Sequence, residues 1–348
     1  MRRLFLIIAA LCSGPAVEAQ WTFQTSGTTA RLRGVAVVDG RVAWASGTGG
    51  TVLLTTDRGA TWRGRNVPNS GGRDFRDVEA FDDRTALVLS IGEGDQSRIF
   101  KTTDGGETWR LRHVNADPKG FLDGLAFSDA RHGLALGDPV DGRFVILATD
   151  DGGDTWARVA GDSMPAALPR EGAFAASGTC LAVKGDHAWF GTSGGRIFRS
   201  DDRGRTWTAH ATPLRAGEGS SGVFSLAFRD AEHGAAVGGD YKEPDAKGRL
   251  IALTHDGGRT WIAPSGPEPS GYRSAVAFRP GTPGPSLIAV GPTGADRSDD
   301  GGESWSKLGD AGFHAVGFAA SSAGWAVGER GRIARFDPGS EPGPTTPP

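Results

Sequence analysis

Thr102-Thr103-Asp104-Gly105-Gly106-Glu107-Thr108-Trp109 is one of six copies of a single phrase, and its recurrence decides the fold. The other copies end at Trp62, Trp156, Trp207, Trp261 and Trp305, and all read S/T-x-D-x-G-x-T/S-W. Successive tryptophans are 47, 47, 51, 54 and 44 residues apart. A period of this length belongs to stacked or circular repeats, in which each unit buries its faces against its neighbours.

Working outward from Trp109, residues 75–81, 85–91, 98–103 and 108–112 read as four strands separated by turns. That is an antiparallel meander, the unit of a propeller blade. The first three strands recur seven times, beginning near Leu32, Phe75, Leu122, Thr179, Val223, Arg273 and Phe313. The tryptophan-headed fourth strand follows only six of them. Trp21, in Gln20-Trp21-Thr22-Phe23, supplies the missing pattern 41 residues before Trp62. The expected fold is all-β: one seven-bladed β-propeller of four-stranded antiparallel blades over residues 20–337, with the N-terminal strand closing the last blade. Such closure removes two exposed sheet edges.

The phrase has a mechanical reading. It spans the hairpin between the third and fourth strands. Asp57, Asp104, Asp151, Asp202, Asp256 and Asp300 accept hydrogen bonds from turn amides, the glycine permits positive φ, and the tryptophan covers the start of the outer strand. These aspartates are therefore structural.

Bulk properties restrict function more than they reveal it. The chain has 348 residues, 55 of them glycine, 38% apolar residues and a formal net charge of −3. That charge offers nothing to nucleic acid. Arg2-Arg3, the apolar run from Leu4 to Leu11 and the small-residue site Val17-Glu18-Ala19 read as a signal peptide over residues 1–19. The chain is expected to be exported, periplasmic or secreted, with no transmembrane segment. Cleavage after Ala19 leaves Cys180 as the only cysteine and hence no internal disulfide. Residues 338–348 form a proline-rich tail expected to be disordered.

The phrase is the Asp-box of the BNR repeat, and the chain resembles the photosystem II assembly/stability factor family. The resemblance is carried by Gly324-Trp325-Ala326-Val327-Gly328 with Gly331-Arg332-Ile333, by the seven-unit count and by the Trp21 closure. It covers essentially all of residues 20–337. It implies a seven-bladed propeller that binds a client protein and does no catalysis. Asp-boxes also occur in sialidases and some endoglucanases, so a glycoside hydrolase is the alternative, and a glycan is the alternative partner.

The Asp-box hairpins open on one face of the ring, which leaves the opposite face for function. Long polar segments gather there: residues 91–95, 137–141 and 239–245 between second and third strands, and 164–175 and 213–222 between blades. Aligning the first strands places Arg33, Asp77, Asp123, Thr179, Phe224, Ser274 and His314 at equivalent positions bordering the central channel. The candidate binding residues are Arg33, Asp77, Asp123, Asp138, Glu171, Asp240, Tyr241 and His314. A hydrolase needs two carboxylates about 5–10 Å apart across a cleft, and Asp123, Asp138, Glu171, Asp240 and Glu243 are the acids available. A sialidase-like site would need a tyrosine nucleophile, for which only Tyr241 and Tyr272 exist, and the Arg-Ile-Pro phrase of sialidases is absent. No metal or cofactor is expected: the seven histidines show no H-E-x-x-H spacing, and no phosphate loop or G-x-S-x-G is present.

Overall fold

The structure is a computed structural model that describes residues 20–337; the expected signal peptide and tail lie outside the described residues. Seven antiparallel sheets follow one another along the chain. Their first strands are Leu32–Val37, Phe75–Ala80, Leu122–Phe127, Leu181–Lys184, Ser221–Phe228, Ala275–Phe278 and Ala315–Phe318. Each first strand lies beside the first strand of the next sheet, and the seventh returns to the first. The molecule is thus a seven-bladed β-propeller whose innermost strands ring a central channel. The strand starts fall within two residues of those read from the repeat.

The composition of the strands explains the layering. Second strands such as Ala86–Ser90 and Ala43–Gly47 are buried along their whole length, because sheets cover them on both faces. The apolar clusters lie between neighbouring blades. Trp44 of the first blade packs with Phe75, Val88, Phe100 and Trp109 of the second, and the Trp44 and Trp109 rings meet edge-to-face at 6.3 Å. Fourth strands are short and exposed, as in Arg63–Gly64 and Ala157–Arg158. In the fifth blade the fourth strand shrinks to a single bridge between Leu253 and Ile262. Pro264, which has no amide to donate, follows two residues later.

The closure is as expected from Trp21. Gln20–Gln24 pairs antiparallel with Ile333–Asp337, with Trp21 opposite Phe336. The Trp21 ring packs on Phe313 at 5.0 Å and on Phe336 at 5.1 Å.

All six Asp-boxes share one hydrogen-bond pattern. In the second blade, Asp104 Oδ1 accepts the Thr108 amide at 2.9 Å and Oδ2 accepts the Thr108 hydroxyl at 2.6 Å. The Thr102 hydroxyl donates to Asp104 Oδ1 at 2.8 Å and accepts the buried Gly106 amide at 2.9 Å. Gly106 sits at φ +81°, where a side chain is strained and would also meet Arg65. Thr108 and Thr102 therefore clamp the aspartate from both sides, which accounts for both hydroxyl positions in the phrase.

Candidate functional site

Four first strands carry a register shift at their start: between Leu32 and Gly34, Phe75 and Asp77, Leu122 and Gly124, and Val223 and Ser225. The residue inside each shift is unpaired, and such bulges re-aim a side chain. Those residues are Arg33, Arg76, Asp123 and Phe224, and all four line one cavity of about 540 Å³. His314 of the seventh blade lines it too.

The second blade therefore contributes Arg76 to this ring, not Asp77. Arg76 directly follows Phe75, as Arg33, Asp123 and Phe224 directly follow Leu32, Leu122 and Val223, so the aligned position in this blade stands one residue too far on. Asp77 is buried beneath, where its Oδ2 accepts the Leu125 amide at 2.6 Å. Burial raises its pKa to about 7. Thr179 and Ser274 knit the inner ring instead: the Thr179 hydroxyl meets that of Ser225 at 2.7 Å, and the Ser274 hydroxyl donates to the His314 carbonyl at 2.8 Å.

The link between the third and fourth blades crosses the mouth as a strap. Arg33 donates to the Ala176 carbonyl at 3.4 Å and Arg76 to the Ala175 carbonyl at 2.7 Å. The Ser177 hydroxyl reaches the Ser274 carbonyl of the sixth blade at 2.8 Å. Phe174 lies flat on Phe224, with ring centroids 3.7 Å apart and 12° between planes. Ala173 to Ala176 thereby form part of the cavity wall.

Charge around the mouth is divided into sectors. Arg33 and Arg76 come from the first two blades, and Asp123 and Asp138 from the third. Burial pulls the Arg33 pKa down to about 10, helped by Arg76, so it stays charged at neutral pH. Burial pushes Asp123 well above the usual carboxylate range, and the Asp138 charge pushes it further. Asp138 is raised by burial against the opposing hydrogen bond from the Ala173 amide. His314 is lowered to about 4 by burial and Arg33, although its Nε2 lies 2.8 Å from Glu329. The remaining wall is aromatic: Phe174, Phe224, Tyr272 and the half-exposed Tyr241.

Of the residues singled out from the sequence, Arg33, Asp123, Asp138, Tyr241 and His314 converge on this cavity. Asp138 does so from an extension of the second strand, Gly133–Val140, not from a free loop. Glu171 does not line it. Its side chain is buried and held by Arg196 and by the Thr192 hydroxyl at 2.6 Å. Asp240 is buried at the end of Gly234–Asp240, where it accepts the Lys242 amide at 2.9 Å. Sequence reasoning missed Arg76 and Phe174, and considered Tyr272 only as a tyrosine for a sialidase-like site. Among the described residues, no group of three or more His, Cys, Asp or Glu is placed to hold a metal ion. No helix among them is long and apolar enough to cross a membrane.

The fold and the Asp-boxes define a seven-bladed BNR-repeat propeller with a strapped cavity at one mouth of its channel. This chain resembles the photosystem II assembly factor family: a profile of that family, described as photosynthesis system II assembly factor YCF48, matches residues 91–217. The match runs from the second blade to the link after the fourth. The solved structure of YCF48 bound to D1 peptide has a TM-score of 0.65 and 19% identity, covering 92% of this chain and 98% of that one. YCF48 from Cyanidioschyzon merolae gives 0.65 and 19%, covering 91% and 99%. The GH74 xyloglucanase from Xanthomonas campestris gives 0.64 and 17%, covering 94% of this chain but only 55% of the enzyme. At these identities the structures show the shared fold. No curated protein matches the chain.

Proposed function

We propose that this propeller is an exported, non-catalytic protein that binds a segment of a protein partner at the strapped mouth. The observation that carries the reading is the cavity itself. It has a volume suited to side chains of a bound segment, opposed basic and acidic sectors, and an aromatic wall with Tyr241 49% exposed at its rim. The structure of YCF48 with a D1 peptide is a propeller of this fold that holds a protein segment, and it supports the reading.

The hydrolase alternative rests on the GH74 neighbour and on two acids sharing the cavity. Glycoside hydrolysis needs carboxylates with opposed roles, one protonated and one ionised, and environments that drive their pKa values apart. Burial raises Asp138, and burial with the Asp138 charge raises Asp123 further. An acid pair is thus available to the hydrolase reading, and a turnover assay decides between the two.

The test is site-directed photocrosslinking from position 241 in the native host. A partner crosslinked there, and lost when Arg33→Ala weakens the mouth, supports the reading. Turnover of xyloglucan or a sialoside, abolished by Asp138→Asn, replaces it with hydrolysis. Mass spectrometry of the mature chain addresses export and the cut after Ala19: an N-terminus at Gln20 is the expected result, an intact Met1 overturns export, and an N-terminus at a lipidated Cys12 overturns the cleavage site.

A further inference from the structure

Two side chains lining the cavity carry a buried polar atom that the ring does not satisfy: Arg33, through its Nε in the basic sector, and Asp123 in the acidic one. Asp123 is 1% exposed and lines the cavity, and its Oδ2 is buried with no hydrogen-bond partner. A native fold rarely leaves a buried polar atom without a partner, and each such atom calls for an explanation. The charge acting on Asp123 is of its own sign, the Asp138 carboxylate. The hydrogen bonds of the two mouth arginines run to the strap and to Asp74. Arg33 and Arg76 hold the strap carbonyls, and Arg76 is also paired with Asp74 at 2.7 Å.

The aromatic wall begins where the acid pair ends. Asp138 Oδ1 accepts the Ala173 amide at 2.8 Å. The next residue is Phe174, stacked on Phe224, and Tyr272 stands edge-on to Phe224 at 4.7 Å. An unpaired acid sector beside aromatic rings is the chemistry that receives an organic cation. The carboxylates accept its N–H groups, and the ring faces attract its charge. A guanidinium suits such a place well, because it is planar and weakly hydrated.

We propose that the cavity receives a basic side chain of the bound protein, an arginine or a lysine, with Asp123 and Asp138 accepting its N–H groups beside the Phe174–Phe224 stack. The proposal rests on the reading that the mouth binds a protein segment, and it names the chemistry of the anchor. The arginine-lined side of the mouth is left for the acidic or carbonyl groups of the same segment.

The experiment is titration calorimetry of the folded chain with three probes: N-acetyl-arginine amide, its neutral isostere N-acetyl-citrulline amide, and N-acetyl-glutamate amide. The arginine probe is expected to bind, and the citrulline probe to bind roughly tenfold more weakly, since a charge-assisted hydrogen bond is replaced by a neutral one. Asp123→Asn and Asp138→Asn each conserve shape and are expected to cut arginine binding by roughly tenfold. Glu107→Gln on the Asp-box face is expected to leave it unchanged. Equal affinity for arginine and citrulline, preference for glutamate, or no binding of any probe overturns the proposal. Partner capture separates the two readings. Capture that persists undiminished in Asp123→Asn and Asp138→Asn overturns the acidic anchor alone, whereas no capture at position 241 overturns the protein-binding reading.

Discussion

Trp62 and Trp325 share one acceptor: both indole N–H groups donate to Gln24 Oε1 at 3.0 Å. The same amide donates from its nitrogen to the Arg58 carbonyl at 2.9 Å. Trp62 closes the first Asp-box and Trp325 lies in the second strand of the seventh blade, so Gln24 sits at the seam where the ring closes. In the fourth, fifth and sixth boxes the indole donates instead to a glycine carbonyl of its own box, Trp207 to Gly204, Trp261 to Gly258 and Trp305 to Gly302. Replacing Gln24 by alanine strands two indole donors and is expected to cost about 2 kcal/mol. Removing Gln20–Gln24 also deletes Trp21 and is expected to cost more, since loss of one packed tryptophan is worth about 3–5 kcal/mol. Chemical denaturation of both variants measures this, and a truncated chain as stable as the parent would place closure elsewhere.

The Asp-box has a buried post that is easily overlooked. Thr102 is 1% exposed, and its hydroxyl accepts the buried Gly106 amide. Thr102→Val keeps the shape but orphans that amide, at an expected cost of about 1–3 kcal/mol. Urea melts would show it as a shift in midpoint at constant slope. Partner capture by the folded variant should be unchanged.

Acid should attack the boxes together. The Thr61 and Thr108 hydroxyls, with their amides, hold Asp57 and Asp104 down at about 2. A carboxylate depressed in the folded state adds stability above its unfolded pKa of about 3.9. That contribution fades as pH falls toward 2. Melting temperature is therefore expected to drop steeply between pH 4 and pH 2, and less steeply in Asp57→Asn/Asp104→Asn.

Asp77 works in the opposite direction. Its folded pKa is raised to about 7, so the unfolded chain releases its proton from about pH 4 while the folded chain retains it. Stability is lost across that window as pH rises. Asp77→Asn keeps an acceptor for the Leu125 amide and removes the penalty. The variant is expected to melt a few degrees higher than the parent at pH 7 and to match it at pH 4. A variant that melts lower at both values would show that the carboxylate itself is required.

Arg76→Ala releases the Ala175 carbonyl without touching the blade cores. Amide exchange at residues 173–177 is expected to speed up, while the Asp-box turns keep their protection. Uniform acceleration across the ring would mean that Arg76 supports the whole fold.

The repeat made the fold legible because each Asp-box reports one hairpin, and Trp21 reported the closure by the same pattern. The site was legible only in part. Arg33, Asp123 and His314 follow from aligning first strands, but in the second blade that alignment takes the residue two after Phe75 instead of the one after it, and so puts Asp77 where Arg76 stands. Alternation along a strand predicts facing only while the register holds. Glu171 read as an exposed loop acid, yet Arg196 draws it inward across 25 residues. No local pattern announces that contact, nor the stacking of Phe174 on Phe224.

The strap orders events in the life of the chain. Its anchors lie 143 residues back at Arg33, 99 back at Arg76 and 97 ahead at Ser274. Contacts this remote in sequence are slow to form, because loop entropy must be overcome before they contribute. The sixth blade must exist before Ser177 can dock, so a chain still being synthesised through its fifth blade has blades but no finished mouth. On the proposed function, competence to bind would then be a certificate of completion, withheld from fragments and from rings that have not yet closed.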